Sequence, residues 1–371
     1  MKGVLCLERI TLGMMSVSIS HEHGYMTEIA KRSATYGINC VRFVPSSIDP
    51  TDLTITGEIF NTQTQTWISD TFSIPPFIYD RCFYNQNQAS KRCKPIVEWL
   101  KKNPDIIFLG YGLPDKWKVY SEIQKNNHLN SYLPDTELIS TPMQIVKHLK
   151  NDSSCLLKPV TGSRGIGIVA IFQTQKEMTI SYHSGPDRKS KTFQSMKLFN
   201  NWCERLLKQQ TYLLQPLLPL IDSEGYPFDI RILLQKDAGG KWSQVEKGVR
   251  KGYQGSFLSN LTTGGEPVTY EQWSQQLTPR QRFLLEDELS TITSHLPPLL
   301  EERFGRLFEL GIDIGYAKDG SIWILDVNSK PGRKTFIETK PQLKQSLYSA
   351  PLAYCKYLST KNNQKGATII D

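Results

Sequence analysis

The chain has 371 residues, 39% hydrophobic and 22% charged, which is enough for a sizeable core and sets an expectation of two or three domains. Gly (25) and Pro (21) stand near ordinary usage, which excludes collagen-like and low-complexity classes. No run reaches the roughly 18 apolar residues of a membrane span, so no membrane partner is expected. The 44 Lys and Arg outnumber the 36 Asp and Glu for a formal charge of +8, which suits a polyanion or a nucleotide enzyme. These basic residues are scattered and lack the aromatic interleaving of a single-strand binder, so no nucleic-acid partner is expected.

In chain order, Val4-Leu5-Cys6-Leu7 runs into Glu8-Arg9, and the charges interrupt any signal-peptide core. A cytoplasmic protein is expected. The seven cysteines (Cys6, Cys40, Cys82, Cys93, Cys155, Cys203, Cys355) are odd in number and lack CxxC spacing, which predicts free thiols in a reducing compartment. His21-Glu22-His23 turns both rings to one face only if it is a strand. Residues 1 to about 85 read as β-rich, with runs such as Cys40–Val44 and Phe77–Asp80 between turn residues. Helices are predicted over 89–103, from Asp115 to about Asn126, and over 142–150, the last with Pro142 at its first position. Further helices are predicted over 195–210 and 278–305, strands over 211–250, and a hairpin over 306–328. The basic run Asp187-Arg188-Lys189-Ser190-Lys191 reads as a solvated loop or a phosphate-contacting lid, and the tail from Ser359 as polar and frayed. The mixed order implies α+β or α/β.

Two stretches carry chemistry. Leu157-Lys158-Pro159-Val160-Thr161-Gly162-Ser163-Arg164-Gly165-Ile166-Gly167 is a strand followed by a glycine loop. Its backbone N–H groups suit phosphate oxygens, with Lys158 projecting into the same space. The lysine precedes the glycines, so this is not a Walker P-loop, and a plain glycine hairpin with an exposed lysine stays open as a reading. The second stretch, 310–328, centres on Asp319-Gly320, a two-residue hairpin signal. That loop sets Lys318 opposite Ser321 and carries Asp313 opposite Asp326, with Cβ atoms roughly 4.5–5.5 Å apart. Alternation would group Ile322, Ile324, Asp326 and Asn328 on one face. The Asp, Asp and Asn oxygens suit a hard cation, or a neutralising Arg or Lys, or one protonated Asp. A three-residue loop would break the geometry. Asp229 and Arg231 share a strand face, as an ion pair, or as a ribose or metal contact for Asp229 and a phosphate contact for Arg231. Gln215-Pro216-Leu217-Leu218 reads as a hinge whose backbone suits an adenine edge, and Asn260 lies in a polar loop ending in Gly264-Gly265.

Lys158 before its glycine loop, Phe228-Asp229-Ile230-Arg231, Asn260-Leu261-Thr262-Thr263-Gly264-Gly265-Glu266 and Glu309-Leu310-Gly311-Ile312-Asp313-Ile314-Gly315 resemble the YheC/YheD family. So does Asp326-Val327-Asn328-Ser329-Lys330-Pro331-Gly332. Members are ATP-grasp proteins of endospore-forming bacteria, described as spore-coat-associated. The resemblance spans about residues 75–355. It implies an α+β ATP-grasp fold with a β-rich N-terminal domain: 1–110 for the second substrate, then 111–358 as the ATP-grasp domain. Within that, about 140–213 form a small lobe and 214–358 a large one, and 359–371 a polar tail. It implies ATP and Mg²⁺, or Mn²⁺ in its place, as cofactors. Lys116, Lys158, Gly162, Ser163, Gly165 and Gly167 would hold phosphates, and Gln215, Pro216, Leu217 and Leu218 the adenine. Asp229 and Asn260 complete the nucleotide site. Asp313, Asp326 and Asn328 would hold the metal, and Arg231, Arg250 and Lys158 would act in catalysis. The implied activity is a carboxylate–amine or carboxylate–thiol ligase working through an acyl phosphate. The alternatives are a non-catalytic nucleotide-binding coat component and a small-molecule kinase. Partners would be carboxylate and amine substrates and spore-coat proteins. Two departures from the wider superfamily stand out: Asp326 where Glu is frequent, and Gly311 where an Arg often precedes the first metal carboxylate, a charge Arg231 or Arg250 would then supply.

Overall fold

The computed structural model describes residues 10–367 except 85, 86, 163, 164, 176, 186, 262 and 263. Ser163 therefore lies outside the described residues, as does Cys6. Three sheets organise the chain. The first holds β1 (Ile10–Met15), β2 (Ile38–Phe43), β3 (Ile48–Asp49), β4 (Thr54–Asn61), β5 (Thr66–Ser73), β6 (Phe77–Asp80) and β7 (Ile107–Phe108). Its centre, β2-β1-β6-β7, is parallel. Parallel strands are buried on both faces, which is why β1, β2 and β6 read as near-continuous apolar runs. Helices α1 (His23–Ala30), α2 (Ser33–Tyr36) and α3 (Gln88–Lys102) connect them, and α4 (Lys116–Gln124) follows.

The second sheet combines β8 (Glu137–Ile139), β9 (Ser154–Pro159), β10 (Val169–Gln173), β11 (Met178–Ser184), β12 (Asp187–Phe193) and β13 (Tyr212–Pro216) in the order β12-β11-β10-β9-β13-β8. Helices α5 (Pro142–Leu149) and α6 (Met196–Gln209) accompany it, and Ile145, Phe199 and Cys203 share a core with Cys155, Leu157 and Leu214 of the sheet. The basic run at 187–191 is not a loop: it belongs to the edge strand β12, paired to β11 along its length. Lysines on an exposed edge discourage pairing with another chain.

The third sheet takes β14 (Phe228–Lys236), β15 (Trp242–Lys251), β16 (Glu266–Thr269), β17 (Glu309–Tyr316) and β18 (Ile322–Asn328) in the order β16-β15-β14-β17-β18. One face packs on α8 (Pro279–Phe304), which follows the short α7 (Tyr270–Ser274). Ile230, Ile232, Leu310, Ile312 and Ile314 meet Leu285, Leu289, Ile292, Leu296 and Leu300 there. Each such side chain contributes about 1.5–3 kcal/mol of burial. Helix α8 begins in a capping box, with the Thr278 hydroxyl accepting from Gln281 N–H and Gln281 reaching back. Residues α9 (Lys334–Thr339) and α10 (Lys344–Ala367) close the chain. Leu352, Tyr354, Cys355 and Leu358 of α10 bury against β1 and β2 residues. The stretch from Ser359, expected to fray, continues α10 to Ala367.

The hairpin corrects two sequence expectations. Ala317 N–H donates to Ser321 O and Gly320 N–H to Ala317 O, so the loop is three residues, 318–320, not two. A two-residue type I′ turn needs positive φ at both central positions, and here Gly320 (φ 90) has it while Asp319 does not. Asp319 instead accepts from Ser321 N–H at 2.9 Å. The added loop residue is cancelled by a bulge: Ile314 pairs with Ile324 but Asp313 with Asp326, leaving Leu325 unpaired. The carboxylates still face each other. The bulge also reverses the side-chain phase, so Ile322 and Ile324 join Val327 at the α8 core instead of sharing a face with Asp326 and Asn328.

Candidate functional site

The sheet face opposite α8 carries a row of charge. Strand register sets Asp229 beside Arg250, and Arg231 beside Asp313. Arg250 grips Asp229 through two hydrogen bonds of 2.7 and 2.8 Å, and its Nη2 also lies 2.9 Å from Asp313 Oδ2. Arg231 Nη1 lies 2.8 Å from Asp313 Oδ1. The Ser259 hydroxyl donates to Asp229. The ion pairs thus run across strands, and Asp229 and Arg231 do not pair with one another. Burial lifts the Asp313 carboxyl above its usual range against the pull of Arg231 and Arg250. Burial also lowers Arg231.

Lys116 and Lys158 come from other elements to the same point. Asp115 caps α4, accepting from Lys118 N–H at 3.1 Å, and Lys116 N–H donates to Val160 O at 3.1 Å. That ties the helix start to the strand leading into the glycine loop. The Lys116 ammonium pairs with Asp326, and Lys158 donates to Leu325 O at 3.4 Å. Asn328 donates its amide to Asp326 Oδ2 at 3.2 Å. Burial pushes the Lys158 ammonium down to about 8 although Asp326 pulls it up. Burial also pushes Asp326 up, but Lys116 and then Lys158 outweigh it and hold the carboxylate below its usual range.

Gly162, Gly165 and Gly167 all have positive φ (134, 76 and 79). A Cβ on Gly165 would lie 3.2 Å from Asn260 Oδ1, so the loop tip rests on the polar loop after β15. Gly311 is more demanding. A Cβ there would come within 2.7 Å of Arg231 Nη1 and of Pro331 Cβ. The space an arginine at 311 would start from is filled by the guanidinium of Arg231, which reaches Asp313 from the neighbouring strand.

Beyond the charges the cleft turns apolar. A cavity of about 40 Å³ opens between Lys158, Leu213 and Gln215 on one side and Leu325, Asp326 and Val327 on the other, with Val119, Tyr120 and Ile123 of α4 closing it. Gln215 is buried and donates to Thr136 Oγ1 at 2.8 Å. Pro216 ends β13, and Leu217 and Leu218 lie in the link from the second sheet to the third. Sequence reasoning missed Thr136, Ser259 and the apolar face of α4. Only Ser259 had a signal, its place beside Asn260.

The structure therefore brings together Lys116, Lys158, Gln215, Asp229, Arg231, Arg250, Asn260, Asp313, Asp326 and Asn328. Among the described residues no three of His, Cys, Asp and Glu converge as a metal cluster. A cation here would take the Asp313 and Asp326 carboxylates, the Asn328 amide oxygen and oxygens from a ligand. The donor set fits a hard divalent ion. Asp313 Oδ1 and Arg231 Nη1 touch, yet neither makes a hydrogen bond although both are buried, so that oxygen keeps lone pairs to offer.

Residues 105–358 match the family model described as YheC/D like ATP-grasp. The chain is 44% identical over 357 residues to "Endospore coat-associated protein YheC" of Bacillus subtilis (strain 168), covering 96% of this chain and 98% of that protein. "Endospore coat-associated protein YheD" of the same organism is 24% identical over 303 residues, 80% of this chain and 65% of that protein. Among solved structures, D-alanyl-alanine synthetase A from Vibrio cholerae O1 biovar eltor str. N16961 shares the fold with TM-score 0.55 at 13% identity, over 94% of this chain and 99% of that one. D-cycloserine synthetase DcsG does so with TM-score 0.52 at 12% identity, over 95% and 99%. The chain belongs to the YheC/YheD-like family of ATP-grasp proteins.

Proposed function

We propose that the cleft between the second and third sheets binds ATP with Mg²⁺ and that the protein is an ATP-dependent carboxylate–amine or carboxylate–thiol ligase. The observation that carries this reading is the convergence of Lys116 and Lys158 on Asp326 directly across from Asp313, itself flanked by Arg231 and Arg250. Four cations and three carboxylates leave a net positive cleft suited to a polyphosphate. In this reading 140–213 and 214–358 are the lobes that hold the nucleotide, and residues 1–110 help to form the second substrate's site.

Asp313, Asp326 and Asn328 would hold the ion, which supplies charge neutralisation at the phosphates. Lys116 would release Asp326 and turn to a phosphate oxygen. Lys158 and Arg231 stabilise the transferring phosphoryl group, and Arg250 holds Asp229 and Asp313 in place. A substrate carboxylate oxygen attacks the γ-phosphorus and ADP leaves. The amine or thiol then attacks the acyl carbon, and inorganic phosphate departs with the bond electrons. Positioning and charge balance do most of this work.

The names of the relatives support a second proposal, association with the spore coat after synthesis in the cytoplasm. A nucleotide-binding coat component would bind ATP and release no ADP. The deciding experiment is ADP release by the purified protein across amino acids, peptides and cell-wall precursors. Substrate-dependent ADP supports the ligase, and ATP binding without any ADP supports the coat component. Lys158→Ala should weaken ATP binding by roughly 10–100-fold, the worth of a charge-assisted contact. Asp326→Ala should remove the Mg dependence of binding, and unchanged dependence would take Asp326 out of the metal site.

A further inference from the structure

The buried amide of Gln215 faces the cavity with only one orientation open to it. Thr136 sits where the β8–β13 register would place a partner for Gln215. Both residues are 6% exposed. The Thr136 hydroxyl donates to Pro134 O at 2.8 Å. A carbonyl only accepts, so the single hydroxyl proton is spent there and Thr136 Oγ1 is left as an acceptor. Gln215 must therefore turn its NH₂ to Thr136, at 2.8 Å, and its carbonyl away from it.

We propose that Thr136 is a positioning residue that locks the Gln215 carbonyl toward the cavity, so that the site selects a 6-aminopurine nucleotide over a 6-oxopurine one. This rests on the nucleotide reading of the cleft given above. An exocyclic amine donates to the Gln215 carbonyl. A 6-oxo group would set two acceptors against each other in a buried place, and a site built to pair a donor rejects the analogue that lacks it. If the amide were free to rotate, it would present its NH₂ to the 6-oxo group and the discrimination would vanish. The lock on the amide, not the glutamine alone, makes the choice.

The test is equilibrium binding of ATP and ITP, in Mg²⁺, to the full chain and to two variants. The wild-type protein should prefer ATP by roughly ten-fold or more. Thr136→Val keeps the shape but removes the acceptor, and should bring the ATP-to-ITP ratio toward one. Thr136→Ser keeps the oxygen and should keep the ratio. A Thr136→Val protein that binds ATP with the wild-type ratio overturns the proposal, as does a Thr136→Ser protein that loses it. If Thr136→Val does not fold, Gln215→Met is measured instead. Loss of ATP affinity with ITP affinity retained supports the proposal, and equal losses overturn it. Wild-type protein that binds both nucleotides equally refutes only this selection, whereas binding of neither refutes the nucleotide cleft and the selection with it.

Discussion

Gly311 shows how one absent side chain reorganises a charged site. With no Cβ at 311, the Arg231 guanidinium lies over that position and meets Asp313 from the adjacent strand. Arginine suits this because its planar fork keeps its charge when buried and can face several oxyanions. Gly311→Ala should therefore push Arg231 off Asp313. The expected cost is about 1–3 kcal/mol of stability from overpacking, together with weaker nucleotide binding. Thermal melts and ATP titrations of the same variant check both. Substitution effects confined to stability would mean that the Arg231–Asp313 contact has no part in ligand binding. The buried thiols offer a separate residue-scale test. Burial pushes Cys40, Cys155 and Cys203 up to about 12. The folded protein keeps these protons while the unfolded chain loses them above about pH 8.5. Their effect on stability is absent below that pH and becomes a loss as pH rises toward 12. Denaturant midpoints measured from pH 7 to 11 should fall at the alkaline end, and alkylation of these thiols at pH 8 should wait for unfolding.

At the scale of elements, the β17–β18 hairpin reaches the anticipated carboxylate pair by an unanticipated route. Local turn chemistry chose a three-residue loop, since only glycine takes the positive φ cheaply and only one glycine is present. The bulge at Leu325 then restores the Asp313–Asp326 register and turns Asp326 to the cleft. The bulge, not the turn, is what protects the site. Gly320→Ala should accordingly cost about 1–2 kcal/mol of stability from left-handed strain and leave nucleotide affinity unchanged. Chemical denaturation and a binding titration distinguish these effects, and a large loss of affinity would show that the turn controls the carboxylates after all. The helices at 88–102, 142–149, 196–209 and 279–304 were legible nearly to the residue, because caps, prolines and apolar periodicity are local signals. The bulge was not legible. Nothing within a few residues of Leu325 marks it; Ile324 and Val327 beside it pack into the α8 core across the sheet.

The whole molecule is joined by a buried ion cluster between the first and third sheets. Glu309, at the start of β17, accepts from Tyr79 at 2.7 Å, Arg81 at 2.9 Å and Gln235 at 3.1 Å, and also from Arg333. Arg81 in turn pairs with Glu22 at 2.7 Å, and the Arg333 guanidinium lies 3.9 Å over the Tyr25 ring. Lys330, just beyond the metal-face residue Asn328, pairs with Asp80 at 2.8 Å. The cluster holds the ends of β6 and β18 together, so the first sheet is fixed beside the cleft. Glu309→Gln would leave Arg81 its pairing with Glu22 but take from the buried Arg333 the carboxylate it pairs with, at a cost of about 3 kcal/mol, the low end for breaking a buried pair. A urea denaturation midpoint close to that of the wild-type protein would refute this. Residue types, glycine positions, caps and strand alternation determined the elements and marked Lys158, Asp229, Arg231, Asp313 and Asp326 as candidates, since those preferences act over a few residues. Which charge meets which was decided only by tertiary structure: Asp326 and Lys116 stand 210 residues apart in the chain, and Arg81 and Glu309 stand 228 apart. Such pairs follow from the order of strands in the sheets and from which sheets face each other, and no local rule of conformation encodes that.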